Sequence, residues 1–252
     1  MKYCAIIPTY NNGKTLTDII ERVRPVVQHV VVVNDGSTDN TAALLEQYRE
    51  TADVTVVAYP RNRGKGYALR TGLEKAREMQ FDYAVTIDSD GQHFPEDIPH
   101  LLATVQAQLP NTKVMVVGSR NLQVEGMPSK NTFANRFSNF WFLLQTGIKL
   151  PDTQTGFRVY PLHHLPSLRM LTYRYESELE LLVFSAWKNI RLIPTNVRVY
   201  YPPEGERVTH FRPFADFTRI SILNTFLCVA AILYGYPAMG VRRIVAATKC
   251  KS

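Results

Sequence analysis

The run Val30-Val-Val-Val-Asn34 has few possible places in a fold. Four β-branched side chains in succession disfavour helix and present apolar surface to both sides of an extended strand. Such a run belongs in a sheet that is covered on both faces. Four more runs of similar character accompany it: Tyr3–Pro8, Val54–Tyr59, Tyr83–Ile87 and Val114–Gly118. Between them lie segments with helical patterning, about Thr15–Val27, Ser37–Arg49, Gly66–Met79 and Pro95–Leu109. This alternation with short connections predicts an α/β fold with a doubly wound, mostly parallel sheet and right-handed crossovers. Ligands of such sheets bind outside the carboxyl ends of the strands.

The residues at those ends are alike in kind. The first strand runs into Pro8-Thr-Tyr10-Asn11-Asn12-Gly13 and the second into Asn34-Asp35-Gly36-Ser37-Thr38-Asp39. The third leads to Arg61-Asn62-Arg63-Gly64-Lys65-Gly66, the fourth to Asp88-Ser-Asp90-Gly-Gln92-His93, and the fifth to Gly118-Ser119-Arg120. One polar, glycine-bearing cluster is a turn, but five on one edge make a ligand site. Asp88 and Asp90 are spaced i, i+2 and so face the same side where the strand opens. Their oxygens suit a hard divalent cation, Mg²⁺ or Mn²⁺, although the stretch taken alone reads equally well as a turn. No G-x-G-x-x-G follows the first strand and no G-x-x-x-x-G-K-[ST] occurs, which argues against a dinucleotide dehydrogenase and a P-loop NTPase.

The net charge of +7 over 252 residues favours an anionic partner. No run of consecutive basic residues resembles a nucleic-acid tail, so a nucleotide or an anionic lipid surface is expected, and no nucleic acid. Cys4, Cys228 and Cys250 are dispersed and odd in number, as in a reduced compartment without a disulfide frame or zinc site. The first strand begins at Tyr3, which leaves no room for a signal peptide ahead of it.

Taken together, the motifs Pro8-x-Tyr10-Asn11, Val33-Asn34-Asp35-Gly36-Ser37-x-Asp39-x-Thr41, Asn62-x-Gly64-Lys65-Gly66 and Asp88-x-Asp90 resemble the inverting glycosyltransferase family 2, of GT-A fold. Asp90-Gly-Gln92-His93-x-Pro95-Glu96 and Asp152-x-x-Thr155-Gly156-Phe157-Arg158 resemble its polyprenyl-phosphate (dolichol-phosphate) mannosyl- and glucosyltransferase branch. The likeness covers about residues 1–215. It implies a GT-A domain with a nucleotide-sugar half over 1–120 and an acceptor half over 121–215, followed by an apolar helical segment over 216–252. It further implies that Pro8, Tyr10, Asn11 and Asp35 line the nucleobase and ribose pocket and that Lys65 lies near the nucleotide. Asp88, Asp90 and Gln92 would hold the divalent cation across the diphosphate of a GDP- or UDP-sugar. Arg120 would meet phosphate charge, and Asp152, Thr155, Gly156 and Arg158 would shape the acceptor side. Asn12 departs from the branch, which commonly carries Glu there.

In this chemistry the leaving diphosphate gains negative charge, which a cation and the guanidinium groups of Arg120 and Arg158 can meet. A lipid-linked phosphate acceptor is already an anionic nucleophile, whereas a hydroxyl acceptor on a glycolipid or glycan needs a base. Asp152, Glu176, Glu178 and Glu180 are the candidates for that base. Glu178 is favoured, with Glu176 and Glu180 read as a solvated helix face. By resemblance, Arg207, His210 and Arg212 belong to a loop that closes over donor and acceptor. A non-catalytic nucleotide-binding membrane module is the competing class, and a sugar nucleotidylyltransferase lacks its glycine-rich signature here.

From Ile220 to Val241 the chain carries no charge, while Arg219 and Arg242-Arg243 flank it. This length approaches that needed to cross a hydrocarbon core of ~30 Å, but polar and helix-perturbing residues dilute it. The flanking arginines, Tyr234, Tyr236 and the tail lysines Lys249 and Lys251 suit a membrane surface, on the cytoplasmic side and in a peripheral or monotopic mode. A second apolar patch, Phe133–Leu144, reads as core packing.

Overall fold

The computed structural model describes residues 1–120, 129–168, 171–201 and 213–249. Seven strands form one sheet: β1 Tyr3–Thr9, β2 Val30–Asn34, β3 Val54–Ala58, β4 Tyr83–Thr86, β5 Val114–Arg120, β6 Arg158–Pro161 and β7 Arg191–Val197. Their order across the sheet is β3-β2-β1-β4-β6-β5-β7. The register is parallel from β3 through β4, with Ala5 beside Val30 and Ile6 beside Thr86. Only β6 runs against its neighbours, pairing antiparallel with both β4 and β5. The sequence pattern does not reveal this strand, since it is four residues long, starts on an arginine and ends on a proline.

The helices are α1 Leu16–Val23, α2 Thr41–Leu45, α3 Lys65–Glu78, α4 Ile98–Gln106, α5 Ser129–Thr146, α6 Glu176–Trp187, α7 Pro213–Ala230 and α8 Tyr236–Lys249. The π-helical turn Ala231–Gly235 joins α7 to α8. Helix α1 is shorter than its apolar pattern because Pro25 brings a 3₁₀ turn at Arg24–Val26. Thr15 occupies the N-cap of α1, but its hydroxyl donates instead to the Ser89 carbonyl.

Alternation along β1 and β2 feeds a core on each face of the sheet. Cys4, Ile6, Val31 and Val33 pack toward α3 and α6 on one face. Ala5, Ile7, Val30 and Val32 pack toward α1 and α4 on the other. The valine run is therefore covered on both sides, as its composition requires. Burial pushes the Cys4 thiol up to about 12, so it behaves as an apolar side chain.

Trp187 closes the first core at the end of α6. It is 2 % exposed, its indole nitrogen donates to the Gln145 carbonyl at 2.8 Å, and Gly235 lies so close that a Cβ there would stand 2.5 Å from the ring. The C-terminal helices rest on this contact. Trp187→Ala is expected to cost about 3–5 kcal/mol, as for other buried aromatic truncations. Denaturant unfolding should show a lower midpoint with an unchanged slope. A loss below about 1 kcal/mol would mean that α7 and α8 do not depend on the ring.

Candidate active site at the carboxyl edge

The loops at the sheet edge are tied to one another before any ligand is considered. Asn11 sits in the left-handed region at φ 54°. Its amide oxygen accepts from Thr38 N at 2.8 Å, and its own N–H donates to Ser37 Oγ at 3.0 Å. This laces the loop after β1 to the loop after β2. Asp35, at the end of β2, is buried and serves the next loop. Its carboxylate accepts from Arg63 N and Gly64 N, each at 2.8 Å, and from Asn62 Nδ2 at 3.0 Å. Gly36 allows the close approach, because a Cβ there would meet the Arg61 carbonyl carbon at 2.3 Å. Burial raises Asp35 despite these donors. Asp35 therefore stands beneath the 61–64 loop as its anchor, and that loop delivers Lys65 as the first residue of α3.

Asp88 and Asp90 are fixed through the serine between them. Ser89 Oγ donates to the Pro8 carbonyl at 3.1 Å and accepts from Asn12 Nδ2 at 2.9 Å. Asn12, the residue that departs from the sequence pattern, is thus a strut holding the carboxylate stretch to the end of β1. Asp90 turns back to accept from Gln92 N at 3.0 Å, with Gly91 at φ 77° making the turn. The turn reading of this stretch is thus met, with both carboxylates still at the sheet edge.

Lys65 Nζ lies 2.9 Å from Asp88 Oδ1 and 3.2 Å from Glu178 Oε1. One ammonium thus joins the end of β4 to the first turn of α6. Gly156 completes the contact, since a Cβ there would meet Asp88 Oδ2 at 2.9 Å and Glu178 Oε1 at 3.1 Å. Burial pushes Asp88 up, but the Lys65 ammonium outweighs it and holds the carboxyl below its usual range. Burial, then the neighbouring Asp88 charge, pushes Asp90 up to about 6. Burial disfavours the Lys65 ammonium, yet Asp88 and Glu178 more than restore it.

Arg120 and Asp152 form a second, self-contained pair. Arg120 Nε and Nη2 donate to Asp152 at 2.6 and 3.0 Å. Asn135 Nδ2, Gln154 N and Arg120 N also donate to the same carboxylate. Asp152 is fully buried, and although burial raises it, Arg120 holds it below the usual range. It anchors Arg120, α5 and the loop ahead of β6.

Arg158 lies elsewhere than the sequence expectation of a phosphate contact. It is fully buried, and Nη1 and Nη2 donate to the Glu178 and Thr153 carbonyls at 2.8 and 2.9 Å. It pins the start of α6, and so positions Glu178. The solvated-face reading of Glu176 and Glu180 is also corrected. Both are buried, and Glu180 accepts from Leu171 N, Thr172 N and Thr172 Oγ1. His93 is buried against Phe157, with ring centroids 5.1 Å apart and neither ring nitrogen hydrogen-bonded among the described residues. Burial lowers it to about 4, so it is neutral. Arg207, His210 and Arg212 lie outside the described residues. Ser89 and Asn135 are the supports that the sequence reading lacked.

The charge balance decides what the edge can accept. Among the described residues, Asp88, Asp90 and Glu178 lie near two cations, the Lys65 ammonium and the buried Arg158 guanidinium, while Arg120 is paired with Asp152. The set still holds more carboxylate than cation among the described residues, so a further cation would ease the approach of an anionic diphosphate. Among the described residues no three His, Cys, Asp or Glu side chains are placed to close around an ion. The donor set fits a hard cation that keeps open positions for phosphate oxygens and water.

Comparison with known proteins gives the same direction. Residues 4–165 match the family model of glycosyl transferase family 2. The chain is 29% identical over 215 residues to a UDP-N-acetylglucosamine–dolichyl-phosphate N-acetylglucosaminyltransferase of Methanococcus voltae, covering 78% of this chain and 84% of that one. It is 30% identical over 166 residues to an undecaprenyl-phosphate mannosyltransferase of Micrococcus luteus, covering 64% and 66%. Among solved structures, glucosyl-3-phosphoglycerate synthase of Mycobacterium tuberculosis, in complex with Mn²⁺ and UDP-glucose, shares the fold at a TM-score of 0.63 and 20% identity, over 91% of this chain and 78% of that one. With its GT-A-like sheet and the matched motifs, this chain belongs to glycosyl transferase family 2 and is a glycosyltransferase.

Proposed function

We propose that the chain transfers a sugar, with inversion, from a GDP- or UDP-sugar to a polyprenyl phosphate at the cytoplasmic face of the membrane, with a divalent cation bound at Asp88, Asp90 and Gln92. The observation that carries this reading is that, among the described residues, Asp88, Asp90 and Glu178 outnumber the cations Lys65 and Arg158 at that edge. Relatives named for dolichyl- and undecaprenyl-phosphate acceptors support the acceptor class, and the Mn²⁺ in the solved relative supports the cation.

An oxygen of the acceptor phosphate attacks the anomeric carbon on the face opposite the leaving group. The new carbon–oxygen bond forms as the bond to the diphosphate breaks, and the electron pair goes to the departing phosphate oxygen. The cation, when bound, supplies charge neutralisation at the diphosphate. Lys65 stands beside Asp88 to share that load, and Glu178 and Gly156 keep it there. The acceptor phosphate is already ionised, so no protein base is needed. That agrees with Asp152 being spent on Arg120.

Two measurements test the reading. Purified protein given a nucleotide-sugar and polyprenyl phosphate should transfer sugar in Mg²⁺ or Mn²⁺ and stop in chelator. Asp90→Asn should lower kcat by on the order of 10²-fold or more, with thermal stability retained. Full activity in chelator would remove the cation from the reaction.

The role of Asp152 is separable from catalysis. Asp152→Ala leaves a half-buried guanidinium unpaired and should cost about 3–5 kcal/mol in denaturant unfolding. A variant that is inactive yet as stable as the parent would make Asp152 a base and point to a hydroxyl acceptor.

A further inference from the structure

The apolar segment after Arg219 is the longest in the chain. Its described helix, Asp216–Arg242, is long and apolar enough to cross a membrane by length and composition. Its packing shows how it is used. Leu223, Leu227, Ala231, Gly235 and Met239 recur every fourth residue, and all are buried. In an α-helix such a stripe creeps around the axis by roughly 40° per step, because a turn holds about 3.6 residues. The wider π-turn at Ala231–Gly235 takes up part of that drift. The stripe faces α5 and α6: Gln145 Nε2 donates to Asn224 Oδ1 at 2.9 Å, Trp187 lies on Gly235, and Arg242 donates to the Trp187 carbonyl. One side of the helix is thus committed to the protein along its whole length, polar pairs included.

The opposite side is bare. Ile232 and Leu233 are 71 % and 76 % exposed, and Ile222, Phe226 and Val229 are exposed with them. Helix α5 adds Phe140, Leu143 and Leu144, which are exposed rather than packed in the core as their sequence pattern implies. The Tyr236 hydroxyl donates to the Leu144 carbonyl at 2.6 Å, so the two bare faces adjoin. Neither segment carries an exposed acid: α5 has no Asp or Glu, and Asp216, the last acidic residue of the chain, is buried. Arg136 stands exposed on α5 and Lys149 just after it, while Arg219, paired with Asp216, and Arg242, bonded to the Trp187 carbonyl, flank the apolar stretch of the other helix.

We infer that this face is a membrane-docking platform on which α5 and the α7–α8 helix lie in the plane of an anionic bilayer surface, without crossing it. A crossing helix would have to pull its buried stripe, with Asn224 and Gly235, away from α5 and α6. A flat helix keeps those contacts and gives only its bare side to lipid. The exposed Arg136 and Lys149 match anionic headgroups, and Tyr234 and Tyr236 suit the headgroup level. A second copy of the chain is a poorer occupant, because it would set the same basic residues against each other. The inference rests on the lipid-acceptor reading for its purpose, but its test uses neither donor nor acceptor.

The full-length protein is floated with vesicles of phosphatidylcholine containing phosphatidylglycerol, and with phosphatidylcholine alone. It should float with the anionic vesicles, bind less in high salt, and be released by alkaline carbonate. Ile232→Ser/Leu233→Ser and Phe140→Ser/Leu144→Ser should each weaken binding about tenfold or more, at an unchanged melting temperature. Leu109→Ser, at an exposed apolar position after α4, should leave binding unchanged. Absence of vesicle binding overturns the inference, and resistance to alkaline carbonate replaces it with a spanning helix. A dimer in light scattering that dissociates on Ile232→Ser/Leu233→Ser would assign the face to a second copy. In each of these cases sugar transfer to soluble or detergent-dispersed acceptor would stand or fall separately.

Discussion

The Lys65 ammonium holds the two halves of the site together. It reaches Asp88 at the end of β4 and Glu178 at the start of α6, residues that are ninety positions apart in the chain. Everything around it serves to place those three charges. Asp35 fixes the loop that begins α3, Ser89 fixes the stretch that carries Asp88, and Arg158 fixes the turn of α6 that carries Glu178. Each fixing bond ends on a backbone group, so the charges are held by the chain path more than by each other. A partly buried ion pair adds little net stability, but the loss of one partner is costly. The arrangement is stable only as a set.

Much of this was legible in the sequence, for identifiable reasons. The valine run and its neighbours report their burial through local periodicity, and the parallel part of the sheet follows. Asp88 and Asp90 stand out at the end of an apolar strand, where the pair reads as a turn or as ligands for a cation. The misreadings concern residues whose environment is made by distant parts of the chain. Glu176 and Glu180 look like a solvated face, but α6 is wrapped on nearly every side. Arg158 looks like a phosphate ligand because nothing local shows that carbonyls from Thr153 and Glu178 will close around it. Phe140 and Leu144 look like core, since apolar character alone cannot tell protein from lipid.

Asn12 shows how a departure from a pattern can carry structural meaning. Its amide holds Ser89, and its carbonyl accepts the first amides of α1. A residue at this place sets how the nucleotide-side loop meets the carboxylate stretch, and a change there acts on geometry before it acts on any ligand contact.

The reversed strand has a consequence of its own. In a parallel sheet, a site at the carboxyl edge is assembled from chain that is leaving the strands. Because β6 runs the other way, the segment from Asp152 to Phe157 reaches the same edge as chain that is arriving. The two walls of the cleft therefore belong to different kinds of connection, laid down far apart in the sequence. Insertions or exchanges in the arriving segment need not disturb the register of β1 to β4. A lineage built on this plan can vary one wall while the other keeps its form.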